Sequence, residues 1–491
     1  MKIKHLSICL LILGITFSSC KKRFETMNTN PNNPTTVPSR MLLPNIMLYA
    51  AHYVQFNAGT VICDLWVQHT KATTYMDEDR YKARADRMST VWSNLYAGAL
   101  EDCIQVDILA GKEGRPNNQA IALVMKAYIG YNLTTLYGDI PYNSAGLGQQ
   151  GQIQATYEKQ QDVLNSCITD LDAAIAKMNP SDPTLAEIAT NDLIYGGDMA
   201  LWAKFANSLK VRIYLTLTSG GVNKKTEINA LLSSGKVFTS AADDAKLNYI
   251  ASPSTNSNPV WQWTNPTSDR KDDFRMSSTL CNYMRGTSVD STNPTDARLK
   301  IYADGVISGG LAGKYVGSKN GTTGGQNNTS RVGSQFYSQT SPFYFISYSE
   351  LLFIKAEMDT TIKANYDAAV LASFAQNGLT STQANAVLTN PNFVWNLAYS
   401  GRLVAEQKWV SLFGQGVEAF NSWRRSGYPK FTLATSGVTT YVPRRIAYNK
   451  DEVALNSANV SIGVQGLTPS TDYISSQVWF DRNHPASFGN K

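Results

Sequence analysis

DMALWAKFANSLKVRIYLTL, residues 198–217, reads as helix along its whole length. Leu201, Phe205, Leu209 and Ile213 recur every four residues and so line one face. Asp198 stands where a side-chain oxygen accepts the orphan amide hydrogens of a first turn. A helix with such a stripe must pack on others, and similar patterns lie on both sides of it. Upstream they cover 41–68, 87–110, 118–136 and 157–178, the second with Trp92, Leu95, Tyr96, Ala99 and Cys103 on one face. Downstream they cover 348–358, 366–376, 402–413 and 417–426, the last closed by Gly427 as a C-cap with Pro429 beyond it. Between about 220 and 340 the periodicity fades into Gly, Ser, Asn and Thr, punctuated by Gly309, Gly310, Gly317, Gly321, Gly324 and Gly325. These patterns predict a mainly α fold of paired helices carrying a loop-rich, loop-built surface, and a loop region of that length is a place to look for function.

The N-terminus is of another kind. MKIKHLSICLLILGITFSSC (1–20) has a basic head at Lys2 and Lys4, an apolar run over 6–17, then Ser18 and Ser19 before Cys20. The run is too short for a spanning helix and is expected to be a secretory signal over 1–19. Cys20 at its end is the expected lipidation site of a bacterial lipoprotein; the alternative is ordinary cleavage with Cys20 as a bystander. Residues 20–40, with Pro31, Pro34 and Pro38 among Asn and Thr, form an extended tether, and 41–491 is expected to be a single domain. Cys63, Cys103, Cys167 and Cys281 sit widely spaced inside helical patterns and are expected to be buried free thiols.

Composition limits the chemistry. The 491 residues carry 44 Lys and Arg against 38 Asp and Glu, with no basic block, so nucleic acid is not an expected partner. Of the four histidines, His5 falls in the signal, and His52, His69 and His484 lack metal-ligand spacing. Neither a metal nor a cofactor is expected. Ser308 and Tyr315 break the phosphate-loop pattern in SGGLAGKY, and Ser268 with Lys271 is only a two-point match to a serine-lysine motif. Asp77, Glu78 and Asp79 read as a solvated acidic turn, without the spacing of a calcium loop. No segment advertises the carboxylate pair of a glycosidase, although sequence leaves such a pair open.

The positive signal is aromatic. Trp261 and Trp263 lie in WQWTNPTSDR (261–270), where strand-like alternation would put both rings on one side, beside Gln262, Asn265, Asp269 and Arg270. Flat indole faces cover a sugar ring at low entropy cost, and the polar neighbours supply hydrogen bonds. Burial of both rings beneath the loop is the competing reading. A second patch is Trp66, Gln68 and His69 at a helix end, followed by Tyr75 and Tyr81 in a polar loop.

Six stretches together, FETMNTNPNNP (24–34), LYGDIPYNSA (136–145), WAKFANSLKVRIYL (202–215), YSELLFIKAEM (348–358), QKWVSLFGQGVEAFNSWRRSGYP (407–429) and VPRRIAYNKDE (442–452), resemble the SusD/RagB family of Bacteroidetes outer-membrane lipoproteins. The resemblance implies a SusD-like fold built on TPR-like helix pairs. It also implies a non-catalytic, lipid-anchored role at the outer membrane, capturing an oligosaccharide or other nutrient for a SusC-like TonB-dependent transporter. Capture of peptides and a surface glycosidase are the alternatives. The shared motifs mark the fold; no binding residue transfers through them, and Lys21, Lys22 and Arg23 stand where the family often places acidic residues.

Overall fold

The computed structural model describes residues 37–82, 84–286 and 292–483; the signal, Cys20, most of the tether and His484 lie outside them. Helix α1 (Leu43–His52) runs on through wide π-helical turns over Tyr53–Cys63 to Trp66. Next come α2 (Ala85–Asn94), α3 (Glu101–Glu113), α4 (Pro116–Tyr137), α5 (Gln160–Lys177) and α6 (Met199–Ser219). The loop-rich stretch holds α7 (Lys225–Ser233), α8 (Pro259–Thr264) and α9 (Ser278–Arg285). The C-terminal set is α10 (Tyr348–Met358), α11 (Lys363–Gln376), α12 (Ser381–Leu388), α13 (Ser400–Ser411) and α14 (Gly416–Ser426).

The opening helix behaves as its sequence dictates. Asp198 accepts from the Ala200 and Leu201 amides at 2.9 and 3.1 Å, and the side chains of Phe205, Leu209 and Ile213 are buried. Helix α4 begins with proline at a first-turn position that needs no amide donor and is buried almost all round, packing on α3 and α5. Its Gly130 is there for contact: a Cβ would fall 2.2 Å from the Tyr142 ring. At the other end Gly427, at φ +67°, ends α14 by donating its N–H to Trp423 O at 2.6 Å. Apolar side chains form one extensive core, with a second cluster under α10–α13 around Phe353, Tyr366, Phe374 and Leu403. Cys63, Cys103, Cys167 and Cys281 are free and buried.

Ion pairs inside the helical stack tie α4, α6, α10 and α14 together. Arg212 reaches Glu350 through Nε (2.7 Å) and Nη2 (2.5 Å), while Arg425 Nη2 donates to Glu418 at 2.7 Å. Glu418 also accepts from Tyr131 OH (2.9 Å) and Asn421 Nδ2 (3.1 Å). Burial pushes the Glu418 carboxyl up, but Arg425, Arg212 and Lys408 outweigh it and hold it at about 2.

Elsewhere burial wins. It pushes Asp79 and Asp244 up to about 7 and Asp139 up to about 6. Because an unfolded aspartate titrates near ~4, the native state keeps protons that the unfolded chain has released, so these groups make stability fall as pH rises from about 4 to 7. His52, lowered by burial to about 4, opposes this between about 4 and 6.5, as one group against three. Asp244→Asn preserves the acceptor for the Tyr348 amide, 2.6 Å away. It is expected to raise the melting temperature at about pH 8 and to change it much less at about pH 4, where the native carboxyl is protonated and the unfolded one about half so. A Tm change equal at both pH values would contradict the assignment.

Two short antiparallel sheets stitch the loop-rich stretch onto the helices. β1 (Thr70–Ala72) pairs with β3 (Phe274–Met276), and β2 (Ala245–Leu247) pairs with β4 (Phe343–Ile346). The first pairing places the candidate site.

Candidate functional site

The register Ala72↔Phe274 continues past the strand ends: the Thr73 amide donates to Asp273 O at 2.8 Å and its hydroxyl to Asp272 O at 2.5 Å. The chain leaving β1 therefore runs beside the chain entering β3, and Tyr75 meets Arg270 although 195 positions separate them. The Arg270 guanidinium carbon lies 4.5 Å from the Tyr75 ring centroid and 4.1 Å from that of Trp263, cation–π contact with both rings.

Asp273 is the organiser. It accepts from Trp263 Nε1 at 3.0 Å, faces Arg270 Nη1 at 3.4 Å and takes the Thr74 hydroxyl on its other oxygen. With its oxygens committed to three donors, Asp273 positions the rings. Tyr75 sits in left-handed backbone at φ +49°, a conformation that costs a tyrosine energy, and its side chain is 57% exposed. Trp263 is half-buried against the core and also meets Phe56 at 5.5 Å between ring centroids. It is the buttress behind Arg270 and Tyr75.

The expected alternation of Trp261 and Trp263 is corrected. Asn258 caps Val260 and Trp261 through its side chain, and Pro259 follows in the first turn, so the segment is helix α8. Residues two apart on a helix are turned by about 200°, so the two indoles leave on opposite sides. Trp261 is half-buried, and no ring or cation packs on it among the described residues. Asp269 is exposed beside Arg270.

Two members of the second patch are also corrected. Trp66 is 1% exposed, packs on Phe420 and donates Nε1–H to Glu78 O at 3.1 Å. Tyr81 is 1% exposed and its hydroxyl accepts from the Ala434 amide at 3.2 Å. Both serve the core under the loop. Gln68 and His69 are buried too, Gln68 bonded to Thr432 O (2.5 Å) and His69 set between Asp64 (3.1 Å) and Trp409 O (2.9 Å). The acidic turn is likewise drawn inward: Glu78 and Asp79 are buried, and Asp79 accepts from the Gly321 amide and Asn320.

Beyond the C-terminal end of α8 lies a cleft of about 260 Å³, lined by Thr264, Pro266 and Lys271 from the tryptophan segment and by Asp304, Arg331 and Tyr337 opposite. Arg331 and Arg275 share the Asp272 carboxylate (2.8 and 2.7 Å). Sequence reasoning missed Asp273, Thr74 and this cleft; the Asn-Pro start of α8 was the one local signal available. Among the described residues no group of three or more His, Cys, Asp or Glu could hold a metal. Aromatic rings held against a guanidinium beside balanced charges suit a neutral, hydroxyl-rich ligand.

A SusD-like family profile described as "Starch-binding associating with outer membrane" matches residues 31–449, and the chain belongs to that family. No curated protein sequence matches the chain. Among solved structures, a SusD homolog from Parabacteroides distasonis superposes with a TM-score of 0.76 at 20% identity, covering 91% of this chain and 98% of its own. One from Bacteroides uniformis gives 0.74 at 23% identity, covering 90% and 99%. A chitin-binding SusD homolog from Flavobacterium johnsoniae gives 0.73 at 22% identity, covering 91% and 98%. These likenesses establish the mainly α, SusD-like fold expected from the helical patterns.

Proposed function

We propose that the chain is a lipid-anchored outer-membrane protein that captures an oligosaccharide without cleaving it and hands it to a SusC-like TonB-dependent transporter. The observation that carries the reading is Tyr75: an aromatic side chain held outward in costly backbone, backed by Arg270 and Trp263. Sugar rings present C–H faces to aromatic rings and hydroxyls to polar edges, and Tyr75 and Trp261 offer the first while Arg270, Asp269 and Gln262 offer the second. Membership of a starch-binding, outer-membrane-associated family supports the ligand class and the location. The anchor rests on Cys20 in the sequence, and among the described residues no helix is long and apolar enough to cross a membrane.

Detergent-solubilised full chain applied to an array of immobilised plant, fungal and bacterial glycans is expected to be retained on a restricted set and to be competed off by the matching soluble oligosaccharide. The captured glycan should show no new reducing ends. Retention on no glycan would overturn capture, and accumulating reducing ends would replace it with a glycosidase.

A further inference from the structure

The cleft beyond α8 adjoins the ring site, since Thr264 and Lys271 on its wall are chain neighbours of Trp263 and Arg270. Phe274, Val332 and Tyr337 give it an apolar and aromatic side. Its volume of about 260 Å³ lies just under the range of drug-sized sites and suits a single sugar ring.

The charges of the cleft do not cancel. At the rings Arg270 is answered by Asp273, whereas in and behind the cleft Lys271, Arg331 and Arg275 stand against Asp272 and Asp304. Arg331 Nε (3.0 Å), Arg331 Nη2 (2.8 Å) and Arg275 Nη2 (2.7 Å) all converge on one oxygen, Asp272 Oδ1. Burial holds the Arg275 guanidinium below its ordinary pKa against the pull of Asp272, and the charge of Arg331 adds to the lowering.

The surplus donors are reachable from solvent. The Arg331 side chain is 36% exposed, and its Nη1 has no partner among the described residues and is not sealed from the surface. Lys271 is exposed, and its ammonium pairs with nothing among the described residues. The opposing carboxylate on the wall, Asp304, accepts from the Ser334 amide at 3.4 Å.

We infer that this cleft is a subsite for an acidic sugar: a glycan lying on Tyr75 sets a further ring there, with its carboxylate or sulfate oxygens on Lys271 and Arg331. This rests on the glycan capture proposed above and names the kind of glycan. Asp304 repels the same group and so limits the gain.

The array tests it when each acidic glycan is spotted beside its carboxyl-reduced or desulfated counterpart, which keeps the linkages and loses the charge. The detergent-solubilised full chain is expected to bind at least one acidic glycan about tenfold or more tighter than its neutral counterpart, the factor expected of a hydrogen bond to a charged group. Loss on carboxyl reduction assigns a uronic acid, and loss on desulfation assigns a sulfate ester. Lys271→Gln, an exposed change with no partner to lose, should cut the preference about fivefold at unchanged Tm. Asp304→Asn keeps an acceptor for the Ser334 amide and should raise the preference. Equal binding of acidic and neutral forms, an unchanged preference in Lys271→Gln or a weaker one in Asp304→Asn overturns the subsite and leaves glycan capture standing. Retention on no glycan overturns both.

Discussion

Arg212→Met is expected to lower the unfolding free energy by about 3–5 kcal/mol, the cost typical of breaking one side of a buried ion pair. Arg212 and Glu350 are both essentially inaccessible, joined by two hydrogen bonds, and Arg212 Nη2 also donates to Phe345 O at 2.9 Å. Methionine replaces the volume of the stem and none of the donors. Glu350 is then buried without its main cation, and Glu418, 3.8 Å from Arg212 Nε, loses part of its own compensation. Urea denaturation would read the loss. Pairing the substitution with Glu350→Gln should recover a large part of it, because the stranded charge is gone; a double variant as unstable as the sum of both singles would show that packing dominates.

Tyr75→Asn is expected to weaken glycan affinity by about tenfold or more, since an aromatic anchor at the centre of a contact carries more than about 1 kcal/mol. Asparagine tolerates the left-handed backbone at this position, so the fold has no reason to respond. Trp263→Ala should lose affinity as well, but with a fall in Tm, because that ring supports Arg270 and packs on Phe56. Trp261→Ala separates the two faces of α8: affinity falls if the glycan spans them and holds if Tyr75 alone stacks. Loss of binding in Trp263→Ala with Tyr75→Asn unaffected would move the site off the exposed ring.

The helices were legible because periodicity and caps are local properties. Asp198, Gly427 and the four-residue stripe of α6 each report on a neighbour a few residues away. Trp263, Tyr75 and Arg270 were also singled out, as aromatic and polar residues in polar loops, yet their meeting depends on the β1–β3 register, which joins segments about 200 positions apart and leaves no mark on either. Register likewise recruited Asp273, one more aspartate among several until Thr73 and Trp263 bonded to it. Tyr81 misled because a polar loop was equated with an exposed one: the 73–82 turn carries its ring into the core. The α8 misreading had a local remedy, since Asn258-Pro259 is a helix start. The charged network of Arg212, Glu350, Glu418 and Arg425 was silent, each residue having an ordinary place in its own helix and its partner in another.

Sugar capture is expected on the Tyr75 face. Intrinsic tryptophan fluorescence of the full chain, titrated with soluble oligosaccharides, tests it most directly, because Trp263 lies against Arg270 and Trp261 stands on the same short helix. A saturable change is expected with at least one oligosaccharide, shifted about tenfold to higher concentration in Tyr75→Asn. A response that is identical in Tyr75→Asn, or no response to any oligosaccharide, would contradict it.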